Sequence, residues 1–185
     1  AGTLNHETGV VRRPATRDRS AAATVTTLLE ACAARRGDES FLLASDGSRT
    51  LSRAAVSERA FRAGVVIGAA GAAHGESVAY ALSNGVASAV AVLGIMGGGF
   101  RAVAINLVAG EAAIGYALAH SASRLVIVDA TSRALIESAL RGPSFQEFSE
   151  GRPPPALLDV GELATREVGR APPASMHRSP SPDDD

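Results

Sequence analysis

The sequence predicts an α/β fold in which alternating β-α units form a mainly parallel sheet with flanking helices. Three observations predict it. Short strand-like runs begin at Val78, Arg101 and Arg124, 23 residues apart each time. Each run is followed by a segment with helical spacing of its apolar residues. One strand, one helix and two short loops fill such a period, and repeated β-α-β units imply parallel strands joined by right-handed crossovers. Finally, 185 residues at 46% hydrophobic content suit one α/β domain and are too few for two large ones.

Taken in order, residues 1–22 read as a flexible lead-in with Gly, Pro and scattered Arg but no apolar period. An α/β domain is expected over residues 23–142. Thr27-Leu28-Leu29-Glu30 has capping-box spacing and Gly37 supplies a stop, so a helix is expected between them. Cys32 falls on its expected inner face, in a core-packing role. As the sole cysteine, it cannot form an intramolecular disulfide, which fits a reducing cytoplasm. Ser40 to Ala44 reads as a strand, Asp46-Gly47 as a turn, and Arg49 to Leu51 as the return strand of a hairpin. Ser52 can cap the next helix, where Val56, Ala60, Ala63 and Ile67 keep helical spacing; Gly71 and Gly75 break it.

The alternation follows: strand from Val78 to Leu82, helix from Val86 to Met96, strand from Arg101 to Ile105, helix from Glu111 to Ala119, strand from Arg124 to Val128, helix from Ser132 to Leu140. Residues 77–100 carry no charge, which raises the question of a membrane span. Ser83, Asn84, Ser88 and the closing Gly97-Gly98-Gly99 argue for strand, turn and buried helix instead. Residues 143–185 read as a Pro/Ser/Asp-rich linker and tail, with a short strand at Ala156 to Val160 and a helical turn at Glu162 to Arg166 inside it.

Composition excludes several chemistries. All 18 basic residues are Arg, so neither a P-loop lysine nor a Schiff-base lysine is available. The net charge of -1 gives no basic field for nucleic acid. Gly94, Gly97, Gly98 and Gly99 do not spell the dinucleotide fingerprint and stand at a helix end, the wrong side for a phosphate. Gly64, Gly68, Gly71 and Gly75 suit close helix packing. His6, His74, His120 and His177 are scattered without metal-ligand spacing. His120 suits a helix C-terminus. Asp129 follows a strand, where α/β sites form, but also stands where it can cap the next helix with Thr131 and Ser132; the cap is the expected role. No catalytic, cofactor-binding or metal-binding residue is assigned.

Several stretches, in one order, resemble the N-terminal region of the adenylate-forming superfamily of acyl-CoA synthetases and peptide-synthetase adenylation domains. Thr27 to Arg36 looks like its opening helix. Asp46-Gly47-Ser48-Arg49-Thr50-Leu51-Ser52 is similar to its "DG-x-x-x-[ST]" hairpin. Gly75-Glu76-Ser77-Val78-Ala79 resembles "GDRVA", Ser83-Asn84-Gly85 resembles "PNS", and Leu93 to Asn106 resembles "LGILKAGGVAVPIN". Glu111 to Val128 matches the segment that follows. The resemblance covers residues 24 to 140. Gly97-Gly98 replaces Lys-Ala, and Ala104 replaces a Pro, so no CoA contact carries over to Gly97.

The resemblance implies ATP-dependent activation of a carboxylic acid to acyl-AMP and then acyl-CoA, as in fatty acid metabolism, with ATP, Mg and CoA as the full-length family's cofactors. A Ser/Thr/Gly phosphate loop closed by Lys-Gly, the later nucleotide motifs and a C-terminal Lys are not found. The chain is thus expected to be truncated before the phosphate loop, cytoplasmic and inactive alone, with missing downstream ligase domains or a complementing chain as its partners. Two alternatives stand beside this: a non-catalytic α/β interaction module, and an unrelated small-ligand-binding α/β protein.

Overall fold

The computed structural model describes residues 24–48 and 50–166. The lead-in expected over residues 1–22 and the tail beyond residue 166 lie outside the described residues. The elements in chain order are α1 (Val25–Arg36), β1 (Ser40–Leu43), β2 (Thr50–Ser52), α2 (Arg53–Ala69), β3 (Ser77–Ala81), α3 (Val86–Gly97), β4 (Arg101–Ala104), α4 (Glu111–His120), β5 (Leu125–Val128), α5 (Arg133–Arg141), α6 (Pro143–Phe148), β6 (Ala156–Asp159) and α7 (Glu162–Thr165).

β1 and β2 form an antiparallel hairpin of their own, and the other strands form one sheet in the order β4-β3-β5-β6. Every pairing in that sheet is parallel. Strand alternation sends residues two apart to the same face. Val78, Leu125, Ile127 and Leu158 join α2 and α3 in one core. Ala79, Ala81, Val126 and Val128 join α4, α5 and α6 in the other. β5 is fully buried on both faces, which explains its unbroken Leu-Val-Ile-Val run.

The hairpin is stitched to the body at its root. Ser52 Oγ accepts from Ala55 N–H and caps α2, as expected. Glu39 lies 3.2 Å from the Arg53 guanidinium, which sits over the Phe41 ring. At the turn, Asp46 accepts from the Ser48 N–H and hydroxyl, and Gly47 takes a φ of 72° that favours glycine.

α2 and α3 meet backbone to backbone. A Cβ built on Gly94 would lie 2.5 Å from the Ala63 Cβ, and one on Gly64 would lie 3.0 Å from the Gly94 carbonyl oxygen. Val56, Ala60, Ala63 and Ile67 are all buried, on the spacing read from the sequence. Close packing is therefore what Gly64 and Gly94 provide.

Three expectations are corrected. The cap of α1 is Thr24, whose Oγ1 accepts from Thr27 N–H, so the helix begins upstream of the Thr27–Glu30 box. Cys32 is exposed rather than in the core. α1 buries no residue, because it lies outside the α2–α3 layer and touches it only along one stripe. Residues 143–166 belong to the fold rather than to a linker, and the strand and turn expected within them are β6 and α7. Phe145 on α6 is buried, β6 pairs with β5, and Leu163 on α7 joins the core.

Among the described residues no helix is long and apolar enough to cross a membrane. Ile95 of α3 is fully buried, while Leu93 is half-buried on a groove between α1, α2 and α3. Ile95→Ala is therefore expected to cost about 2–5 kcal/mol, and Leu93→Ala clearly less. Denaturant titrations of the two variants test that order; equal losses would contradict this placement of α3.

Candidate functional site

The crossovers define where a site is expected. α3 leaves β3 over one face of the sheet, whereas α5 leaves the adjacent β5 over the other. The C-terminal ends of β3 and β5 thus flank a topological switch point, the crevice where open α/β sheets bind ligands.

Asp129 stands at that crevice, directly after β5. Its Oδ1 accepts from Thr131 N–H at 3.0 Å, the Thr131 hydroxyl at 2.6 Å and Ser132 N–H at 2.8 Å. Its Oδ2 accepts from Ser83 N–H at 3.2 Å, across the crevice from the end of β3. The Ser132 hydroxyl returns the favour by accepting from Asp129 N–H at 3.1 Å. The two residues make a reciprocal box that satisfies N–H groups in the turn leading into α5, whose own N-cap, Ser132, makes no side-chain cap bond, so the expected capping of the helix by Asp129 is corrected to a bracing of that turn. Partial burial pushes the Asp129 carboxyl up, but the Thr131 hydroxyl, the Ser132 and Ser83 N–H groups and the Ser132 hydroxyl outweigh it and hold it down at about 2.

The neighbouring strand ends repeat the pattern. Asp159 accepts from Gly161 N–H at 2.8 Å, Glu162 accepts from Asp159 N–H at 3.3 Å, and Arg133 at the start of α5 lies 3.5 Å from Asp159. After β4, Asn106 Oδ1 accepts from Val108 N–H at 3.2 Å. Asn106, Asp129 and Asp159 are thus each engaged in a local turn. The arrangement positions backbone; among the described residues it holds no nucleophile–base pair.

The structure places the other residues singled out by sequence apart from this crevice. His120 stacks on Tyr116 with centroids 5.5 Å apart, so its ring packs along α4. His74 lies against Gly99, where a Cβ would come within 2.4 Å of its ring. His6 and His177 are outside the described residues. The Gly97 carbonyl accepts from the Thr26 hydroxyl at 2.9 Å, which ties α1 to the end of α3. That contact borders a groove of about 450 Å³ lined by Leu29, Ala33, Phe61 and Leu93, with Glu30 and Glu58 also on its wall.

The Asp129–Ser83 bond was not visible in the sequence, since 46 residues separate its partners. The local grouping of Asp129 with Thr131 and Ser132 was, because it lies within three residues; the similar Asp159–Glu162 box was missed, although its three-residue spacing could have shown it.

The sequence profile of the family described as "AMP-binding enzyme" matches residues 29–184. The chain belongs to this family. It is 36% identical over 118 residues to a sulfoacetate–CoA ligase from Cupriavidus necator, covering 64% of this chain and 23% of that protein. The fold resembles the N-terminal domain of FACL13 from Mycobacterium tuberculosis, with a TM-score of 0.68 at 24% identity over 82% of this chain and 38% of that one. It also resembles a benzoate CoA ligase from Burkholderia xenovorans LB400, with a TM-score of 0.60 at 22% identity over 71% of this chain and 29% of that one. This AMP-binding family chain therefore spans well under half the length of the relatives it matches. Family membership replaces the reading as an unrelated α/β protein.

Proposed function

We propose that this chain serves as scaffold within the N-terminal domain of an AMP-dependent acyl-CoA ligase, and that it does not activate a carboxylate by itself. The whole enzyme would convert a carboxylic acid and ATP to acyl-AMP and pyrophosphate, then transfer the acyl group to CoA, in the cytoplasm. The remaining ligase polypeptide, or a complementing chain, would supply the reacting groups.

The closed switch point carries this reading. Asp129 already accepts four hydrogen bonds, so its oxygens are committed to the backbone of β3 and α5. The residues there therefore do not fit ATP-bound Mg²⁺. The sequence offers no Lys to meet a phosphate as a mobile point charge. What remains is a rigid parallel sheet, the kind of support on which a precise site is built.

The test is ATP–pyrophosphate exchange with the purified chain and a panel of carboxylates. Label incorporation is expected to stay at the level of the enzyme-free blank. Exchange that is reproducible, and that disappears on substituting a residue of this chain, would overturn the scaffold reading.

A further inference from the structure

We propose that the arginine-bearing stretch of residues 10–19, which precedes α1, docks in the groove between α1, α2 and α3.

The groove holds about 450 Å³ and is lined by apolar Leu29, Ala33, Phe61 and Leu93, with Glu30 and Glu58 on its wall. Phe61 is 49% exposed, so the apolar lining stands open. Among the described residues no Arg lines the groove, and neither Glu30 nor Glu58 has an ion-pair partner. α3 ends there at Gly97, and a helix C-terminus adds partial negative charge. The fitting occupant therefore combines apolar side chains with positive charge.

Charge and tether single out residues 10–19. They carry Val10-Val11 and then four arginines, Arg12, Arg13, Arg17 and Arg19, against the one acid Asp18. Residues 167–185 carry four acidic residues against two arginines, the wrong sign for this wall. A second copy docked groove to groove would set Glu against Glu. The tether is short, because Thr24, the cap of α1, stands two residues before Thr26, which lines the groove. The eleven residues from Arg13 to Thr24 reach about 36 Å when extended. The stretch of α1 from Thr26 to Ala33 rises only about 10 Å, so the whole groove is within reach. A tether of this kind gives a millimolar effective concentration, at which weak contacts suffice to populate the docked state. The pairing assigned here seats Val10 and Val11 on the apolar lining and sets Arg12 and Arg13 against Glu30 and Glu58. It rests on the groove and the charges and stands whether or not the scaffold reading holds.

Cys32 is exposed on α1, and the chain has no second Cys and no Trp. A bimane on Cys32 combined with Val11→Trp therefore reports docking in the full chain by contact quenching. Emission is expected to fall about twofold or more against the labelled parent, as when at least half the molecules are docked. The fall should be the same at about 1 and about 50 µM, as an intramolecular contact requires. Raising salt from about 0.1 to about 1 M shortens the Debye length from about 10 to about 3 Å and should recover most of the emission. Glu30→Arg with Glu58→Arg, both at exposed positions, should recover it as well, and adding Arg12→Glu and Arg13→Glu should bring the quenching back. Met176→Trp in place of Val11→Trp is the control and should leave the emission unchanged. No quenching, quenching that grows with concentration, indifference to both salt and charge reversal, failure of the second reversal to restore quenching, or equal quenching with Met176→Trp would each overturn the proposal.

Discussion

Gly94→Val is expected to destabilise the chain by about 3 kcal/mol or more, because it forces side-chain atoms into a helix crossing that already touches backbone. Even the Cβ alone would lie 2.5 Å from the Ala63 Cβ and 3.0 Å from the Ala60 carbonyl oxygen. Neither neighbour is the end of a flexible side chain, so α2 and α3 must separate. Separation loosens a core that includes Ala63, Val66, Ile67, Ala91 and Ile95. For a chain of this size the midpoint of thermal unfolding should fall by roughly 6–12 °C. Gly97→Ala is the matched control on the same helix. Its Cβ would meet only the Thr26 Oγ1 at 3.4 Å, an ordinary contact, and it should stay within about 1 kcal/mol of the parent. Similar midpoints for the two variants would mean that α2 and α3 do not cross at Gly94.

The second large effect is expected at Asp129. Asp129→Ala removes an acceptor from three backbone N–H groups and one hydroxyl. A loss of about 2–4 kcal/mol is expected from the charged hydrogen bonds and the N–H groups left without an acceptor. The pH dependence gives a sharper signature. The carboxyl is held at about 2 in the folded chain against 3.8 for the free group. A depressed folded value stabilises the fold above the unfolded value, and that contribution is lost as pH falls through 3.8 toward 2. It amounts to about 2 kcal/mol at neutral pH. Asp46 is also lowered, by the Ser48 hydroxyl and N–H, and adds to the acid decline, so the parent must be compared with Asp129→Asn. Denaturant unfolding between about pH 6 and about pH 3 should show a shallower acid decline in the variant. Parallel declines would show that Asp129 is not held by the bonds described.

The alternation of the central sheet could be read from the chain because it follows from local chemistry. Strands buried on both faces demand unbroken apolar runs, and the 23-residue spacing left room for one crossover helix each. The pairing of Asp129 with Thr131 and Ser132 was legible for the same reason, since these partners lie within three residues, although the carboxylate braces the turn before α5 rather than capping the helix. Its bond to Ser83 was not, because only the sheet brings β3 and β5 side by side. Cys32 misled because α1 carries apolar and small residues around most of its circumference, so no face declares itself. The strand and turn at Ala156–Val160 and Glu162–Arg166 were legible, but their place in the domain was not, because Pro153-Pro154-Pro155 is ordinarily a mark of linkers. Here the prolines lead straight into β6, which pairs with β5, and Pro155 is itself buried.

α1 is attached quite differently from the strands. It buries none of its residues and is pinned at its start by the Thr26–Gly97 bond, whereas β5 is sealed on both faces. Releasing the helix uncovers little apolar surface; releasing the strand requires the sheet to come apart. The molecule therefore keeps two clocks. Backbone protons of α1 trade with water through brief local excursions that denaturant hardly hastens. Those of β5 wait for the collapse of the whole sheet, an event whose frequency climbs steeply with denaturant.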